Sequence, residues 1–137
     1  MAEVDLRPGS LESRRPLSPH LLIYRPTLTM MMSIAHRITG AALYFGTLLL
    51  AWFLIAASTD AEAFAIVSSF MNSLVGKLIL FAFTWALFHH LLGGVRHLIW
   101  DSGHGFAYPQ REWLAQATLI GGALLAAGVW LLAFWAR

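Results

Sequence analysis

Residues 38–59 read ITGAALYFGTLLLAWFLIAAST, a run of 22 residues without a charged side chain. Two further charge-free runs follow, with 18 residues at 78–95 and 24 residues at 113–136. An ionised side chain at the centre of a bilayer costs on the order of 3 kcal/mol, so runs of this length are typical of membrane spans. As helices they would extend about 33, 27 and 36 Å, against a hydrocarbon thickness of about 30 Å. Each run can therefore cross the membrane once.

The composition predicts an all-α integral membrane protein. Of the 137 residues, 58% are hydrophobic and 12% are charged, whereas about 25% are charged in a soluble domain. We expect three transmembrane helices at about 31–57, 70–100 and 114–135. The middle helix extends past its charge-free run because Lys77 can snorkel and the apolar pattern continues to Trp100.

The composition argues against cysteine-based sites and against nucleic-acid binding. The chain has no cysteine, which excludes a disulfide framework, a thiolate zinc site and an iron–sulfur cluster held by this chain. The formal net charge is only +2, and the arginines are scattered, so nucleic-acid binding is not expected.

Residues 1–30 are predicted to form an extended cytoplasmic arm, and residues 31–137 the transmembrane anchor domain. The arm is rich in proline and arginine, which disfavours a helix. Sustained apolarity begins only near Met30, too late for a signal peptide, and the acidic residues of the arm disfavour a mitochondrial transit peptide. The predicted location is the bacterial inner membrane.

The positions of the basic residues predict the orientation. Five arginines lie at or before Arg37, whereas the connection at 58–73 has no basic residue. By the positive-inside rule, the N-terminus is cytoplasmic and the C-terminus is periplasmic.

Polar residues at membrane depth need partners, so they are the candidate functional residues. Because successive spans are antiparallel, the start of the first helix should lie level with the end of the second. This places one set of polar residues at the cytoplasmic boundary: Ser33, His36, Arg37, Arg96, His97 and Asp101. His90 should lie about 10 Å deeper than His97, level with Leu43 and Tyr44.

His90 shares a helix face with Gly93, Gly94 and His97. An imidazole beside bare helix surface fits a haem, which needs an iron ligand and room for a flat macrocycle. The arginines and His97 would then pair with the propionates. The same residues also fit a cofactor-free arrangement, in which the glycines form a packing notch and His90 hydrogen-bonds across helices. The spacing leaves both interpretations open.

If His90 binds iron, the second axial ligand must come from another subunit. His97 lies on the same helix, and the depth argument places His36 too near the surface. Two axial histidines would give a six-coordinate haem that passes electrons rather than binding oxygen. The adjacent His89 is interpreted as a packing or hydrogen-bonding residue.

Ser33 and Arg37 are four residues apart and share a helix face. Their hydroxyl and guanidinium groups could both donate to the carbonyl oxygens of a quinone, with Asp101 or water handling protons. The simpler alternative is a helix start, with Ser33 assisting the cap and Arg37 anchoring at lipid phosphates.

Two segments resemble a known family. SIAHRITG at 33–40 and HLLGGVRHLIWD at 90–101 are similar to the two signatures of the succinate dehydrogenase cytochrome b subunit, the larger membrane anchor of respiratory complex II. RPLSPHLLIY at 15–24 resembles the segment before the first helix in the alphaproteobacterial and mitochondrial branch.

The resemblance implies a three-helix anchor that passes electrons from succinate oxidation to ubiquinone as part of succinate dehydrogenase. Its implied partners are a smaller membrane-anchor subunit, an iron–sulfur subunit, a flavoprotein subunit and the lipid bilayer. Haem b would be shared with the smaller anchor, whereas FAD and the iron–sulfur clusters belong to the other subunits.

The resemblance also implies roles for individual residues. His90 aligns with the haem axial ligand, and the other ligand belongs to the smaller anchor. His36, Arg37 and His97 lie where family members approach the propionates. Ser33 and Arg37 align with quinone-binding residues, and Asp101 with an acid near the quinone-end proton network. The alternative function is a cofactor-free membrane scaffold or a small transporter subunit.

Overall fold

The computed structural model describes residues 24–136, and every regular element in that range is an α-helix. The four helices are α1 (Leu28–Thr59), α2 (Ala61–Asn72), α3 (Leu74–Asp101) and α4 (Gln110–Trp135). The helices α1, α3 and α4 are long and apolar enough to cross a membrane. The prediction of three transmembrane helices is therefore confirmed.

The ends of these helices differ from the predicted bounds because they follow capping residues rather than the apolar pattern. Thr27 caps α1, its hydroxyl accepting a hydrogen bond from the amide of Met30 at 3.4 Å. Proline is favoured at a helix start because its φ is fixed, and α4 begins directly after Pro109, four residues earlier than predicted.

The connection expected at 58–73 contains a helix of its own. A single extended residue, Asp60, separates α1 from α2, and its carboxylate accepts a hydrogen bond from the amide of Ala63 at 2.8 Å. Ser73 separates α2 from α3 and caps α3 by accepting from the amide of Gly76 at 3.1 Å. The prediction that one helix runs unbroken from residue 70 to 100 is therefore wrong, because the chain turns at Ser73.

The helix α3 packs against both other long helices, and small residues line the contact with α4. The buried face of α3 includes Ala86, His89 and Gly93, and α4 contributes Gly122 and other small residues. Small residues let helix backbones approach closely where no hydrophobic effect drives helices together. Most large apolar side chains point outward, as expected when the solvent is lipid or another subunit.

One end of the bundle holds the start of α1, the end of α3 and the loop 102–109, and we call it the loop end. The opposite end holds α2. The predicted extended arm at 1–30 falls mostly outside the described residues. Residues 24–27 are non-helical, and α1 begins at Leu28.

Candidate functional site

Three histidines meet where α1 crosses α3 at the loop end. The rings of His36 and His90 stack with centroids 4.0 Å apart and planes 9° apart. The His97 ring lies 5.3 Å from that of His36. Contact between residues 36 and 97 agrees with the expected meeting of the start of the first span with the end of the second.

The level expected for His90 is wrong by about one helical turn. Its ring lies beside Thr39 and Gly40 of α1, not beside Leu43 and Tyr44. A Cβ atom added at Gly40 would lie 2.8 Å from Cε1 of His90. The register is set by this close approach of an imidazole to bare backbone, a contact that counting residues from the membrane boundary does not capture.

The hydrogen bonding of His90 determines which ring nitrogen is available. Its Nδ1 lies 3.1 Å from the backbone carbonyl oxygen of His36 and 3.5 Å from the hydroxyl of Thr39. Because a carbonyl oxygen only accepts, Nδ1 carries the hydrogen and donates it. The lone pair of Nε2 is therefore free, and a histidine that ligates a metal is commonly held by this kind of bond from its other nitrogen.

The stacked geometry prevents His36 and His90 from holding one iron between them. An axial imidazole points a nitrogen at the metal from about 2 Å, whereas stacked rings turn their faces toward each other. The 4.0 Å separation also leaves no room for a macrocycle between the two rings. A second ligand to iron at His90 must therefore come from outside the pair.

The two glycines near His90 have different surroundings. The His36 ring occupies the surface of Gly93, and a Cβ atom there would collide with it. Gly94 has no atom within 4 Å of such a Cβ position. Gly93 therefore forms the helix-packing notch that was the cofactor-free alternative. Gly94 instead leaves open helix surface beside His90. A haem at His90 would therefore fit at the open surface of Gly94, outside the α1–α3 contact.

His89 faces the inside of the bundle. Its side chain is fully buried, and the backbone of Gly122 in α4 is so close that a Cβ there would lie 3.1 Å from Cα of His89. Neither ring nitrogen has a hydrogen-bond partner among residues 24–136. No macrocycle can reach this ring without separating α3 from α4, so the geometry favours His90 over His89 as an iron ligand.

The three candidate quinone-site residues lie at the loop end. Ser33 is half-buried and Arg37 is exposed, one turn apart on α1. Asp101 is exposed and is the last residue of α3. Among residues 24–136, none of these three side chains takes part in a hydrogen bond or ion pair with another of those residues.

Arg96 is the residue whose environment the sequence did not predict. Only 2% of it is exposed, and its three guanidinium nitrogens have no hydrogen-bond partner among the described residues. Its Cζ atom lies 5.1 Å from the ring centre of Trp100, a cation–π contact. The sequence feature that could have predicted this burial is the spacing of Arg96, three residues from Gly93 and seven from His89, which places it on the buried face of α3.

Comparison with known proteins identifies the family. Residues 12–130 match the family described as the succinate dehydrogenase/fumarate reductase transmembrane subunit. The chain is 46% identical over 112 residues to the succinate dehydrogenase cytochrome b556 subunit of Paracoccus denitrificans, covering 82% of this chain and 86% of that protein. It is 37% identical over 119 residues to the subunit of the same name from Rickettsia felis, covering 87% of this chain and 93% of the relative.

A mitochondrial relative is also similar. The succinate dehydrogenase cytochrome b560 subunit of Mus musculus is 37% identical over 121 residues, covering 85% of this chain and 69% of that protein. Each of these relatives is named as a cytochrome b subunit of succinate dehydrogenase. The resemblance inferred from the two signatures is therefore confirmed. This chain belongs to the succinate dehydrogenase/fumarate reductase transmembrane subunit family, as a cytochrome b membrane subunit of succinate dehydrogenase.

Proposed function

We propose that this chain binds haem b through Nε2 of His90 and completes a ubiquinone-reduction site with Ser33 and Arg37. The observation that carries the haem proposal is the 3.1 Å contact of His90 Nδ1 with the carbonyl oxygen of His36, which leaves Nε2 free. Open surface at Gly94 supports the same position.

In this proposal, the other iron ligand would come from a second membrane anchor. The stacked His36 cannot do so, and His97 lies on the same helix as His90. Bound between two histidines, the haem would carry single electrons. Within this chain His36, His97 and Arg37 would hold the propionates, because the His36 ring contacts the rings of both His90 and His97, and Arg37 follows His36 at the same end of the bundle.

Ser33 and Arg37 bind the quinone headgroup by donating hydrogen bonds to its carbonyl oxygens. Ubiquinone gains two electrons and two protons to become ubiquinol, and the donors stabilise negative charge that develops on the oxygens. The electrons come from succinate, oxidised by the flavoprotein subunit with its FAD and passed on by the iron–sulfur subunit. Asp101, exposed at the end of α3, takes part in the water and proton network at this end of the site.

The loop end faces the cytoplasm in this proposal, and the C-terminus faces the periplasm of a bacterial inner membrane. The arginines near the start of α1 support this orientation under the positive-inside rule. The flavoprotein and iron–sulfur subunits then dock at the loop end, on the side where the exposed Arg37 and Asp101 lie.

The quinone site is tested with Arg37→Ala and a matched control, Arg111→Ala, in the assembled complex. Arg111 is exposed at the same end of the bundle, in the first turn of α4. We expect Arg37→Ala to lower succinate–quinone reductase activity at least tenfold while succinate oxidation by an artificial dye is retained. The control should keep both activities. Equal loss of both activities in Arg37→Ala would indicate assembly damage and contradict a role in quinone binding.

A further inference from the structure

Arg96 carries a positive charge into the interior of the bundle. Its side chain is 2% exposed, and Nε, Nη1 and Nη2 have no hydrogen-bond partner among residues 24–136. An arginine guanidinium stays protonated in proteins. A buried charge is costly unless it is paired. The groups around Arg96 therefore determine how strongly its charge affects the electrostatic potential at neighbouring residues.

No acidic group neutralises Arg96 in the described part of the chain. Asp101 is five residues further along α3, which places it on a different face, and it is exposed. The Trp100 ring lies against the guanidinium, and the Phe106 ring stacks with that of Trp100 with centroids 6.0 Å apart. These aromatic contacts stabilise a cation but do not cancel its charge.

The space around Arg96 admits water and little else. A crevice of about 90 Å³ lies between α3 and α4 beside it. The crevice is otherwise lined mainly by apolar side chains, namely Leu92, Val95, Ile99, Leu114 and Ala117, together with Thr118. This volume suits a few water molecules, and water would hydrate the guanidinium without neutralising it.

The charge is close to the histidine cluster. Arg96 lies three residues from Gly93, against which the His36 ring lies. His90 lies six positions earlier in α3, which corresponds to a rise of about 9 Å along the helix axis. In protein interior, one unit charge about 10 Å from a redox centre changes its equilibrium by roughly tenfold.

We infer that the charge of Arg96, which has no ion-pair partner among residues 24–136, raises the reduction potential of a haem b held by His90. Reduction adds one electron to ferric haem and gives ferrous haem, which is less positive by one charge and is therefore favoured by a neighbouring cation. The inference rests on the proposed function, because it needs haem at His90. The net charge near a redox centre is one of the ways by which a protein sets its potential.

The test is a potentiometric titration of haem b in the purified complex, with dithionite as reductant, redox mediators, and absorbance as the readout. Arg96→Gln removes the charge, Arg96→Lys keeps it, and Arg111→Gln removes an exposed charge as a control. We expect Arg96→Gln to lower the equilibrium constant for reduction by roughly tenfold, which is about 59 mV for one electron. Arg96→Lys should shift the midpoint less, and the control should not shift it.

A second pair of variants leaves Arg96 in place. Thr118 lines the crevice beside it, so Thr118→Asp introduces a carboxylate near the guanidinium, and Thr118→Asn matches its size without the charge. We expect the aspartate variant alone to lower the midpoint. Equal midpoints in these two variants would overturn the inference, even where Arg96 variants fail to assemble.

Two other outcomes separate a failure of the Arg96 inference from a failure of haem binding at His90. Full haem content with an unchanged midpoint in Arg96→Gln, or equal shifts in Arg96→Gln and Arg96→Lys, refutes the inference and leaves haem binding intact. Haem that persists in His90→Ala refutes the ligand assignment itself, and with it this inference.

Discussion

The Nδ1 atom of His90 donates to the backbone carbonyl oxygen of His36 across the α1–α3 contact, at 3.1 Å. One bond thereby fixes the tautomer of His90, ties its ring to the neighbouring helix and leaves Nε2 available. The carbonyl belongs to a residue whose own ring stacks on His90. The site is therefore held by α1, although its candidate ligand lies on α3.

The neighbouring glycines of α3 offer a matched pair of substitutions. Gly93→Leu should displace His36 from its surface and destabilise the α1–α3 contact by about 1–3 kcal/mol, the usual cost of overpacking. Gly94→Leu meets no atom within 4 Å of its Cβ, so it should leave the thermal stability of the purified subunit close to wild type.

Haem content separates the two variants further. We expect Gly94→Leu to fill the open surface beside His90 and lower the haem bound per complex, measured by absorbance after extraction. Full haem content in Gly94→Leu would contradict the position proposed for the macrocycle. Equal thermal stability of Gly93→Leu and wild type would contradict the packing role of Gly93.

The contact of α3 with α4 is tested at Gly122. A Cβ there would meet the backbone of His89 at 3.1 and 3.2 Å, and backbone cannot move aside as a side chain can. We expect Gly122→Val to lower the melting temperature of the purified complex, because overpacking costs about 1–3 kcal/mol. The control is Gly128→Val on the same helix, where no atom lies within 4 Å. Similar melting temperatures for the two variants would argue against close packing at Gly122.

The transmembrane architecture was predictable because lipid imposes a simple constraint. A charge at mid-bilayer is costly, so the runs without charge located α1, α3 and α4. The ends of the helices and the presence of α2 depend on local hydrogen bonds. Asp60 before an alanine-rich segment, with Glu62 in the first turn, is the signal that predicts the start of α2.

The geometry of the site was only partly predictable. The spacing from His90 to Gly94 and His97 identified the candidate face, since it follows from helical periodicity. The stacking of His36 on His90 depends on how closely α1 approaches α3, which periodicity does not determine. The burial of Arg96 likewise depends on which face of α3 meets α4, a relationship between two helices that lie apart in the sequence.

The ligand assignment is most directly tested by absorbance spectra of the complex carrying His90→Ala or His89→Ala. We expect His90→Ala to lose the reduced-minus-oxidised haem b spectrum while it retains succinate oxidation by a dye, which shows that the other subunits remain attached. His89→Ala should keep the spectrum, since that ring lies inside the bundle against α4. A spectrum that survives His90→Ala and disappears in His89→Ala, or a wild-type complex without a Soret band, would contradict the account.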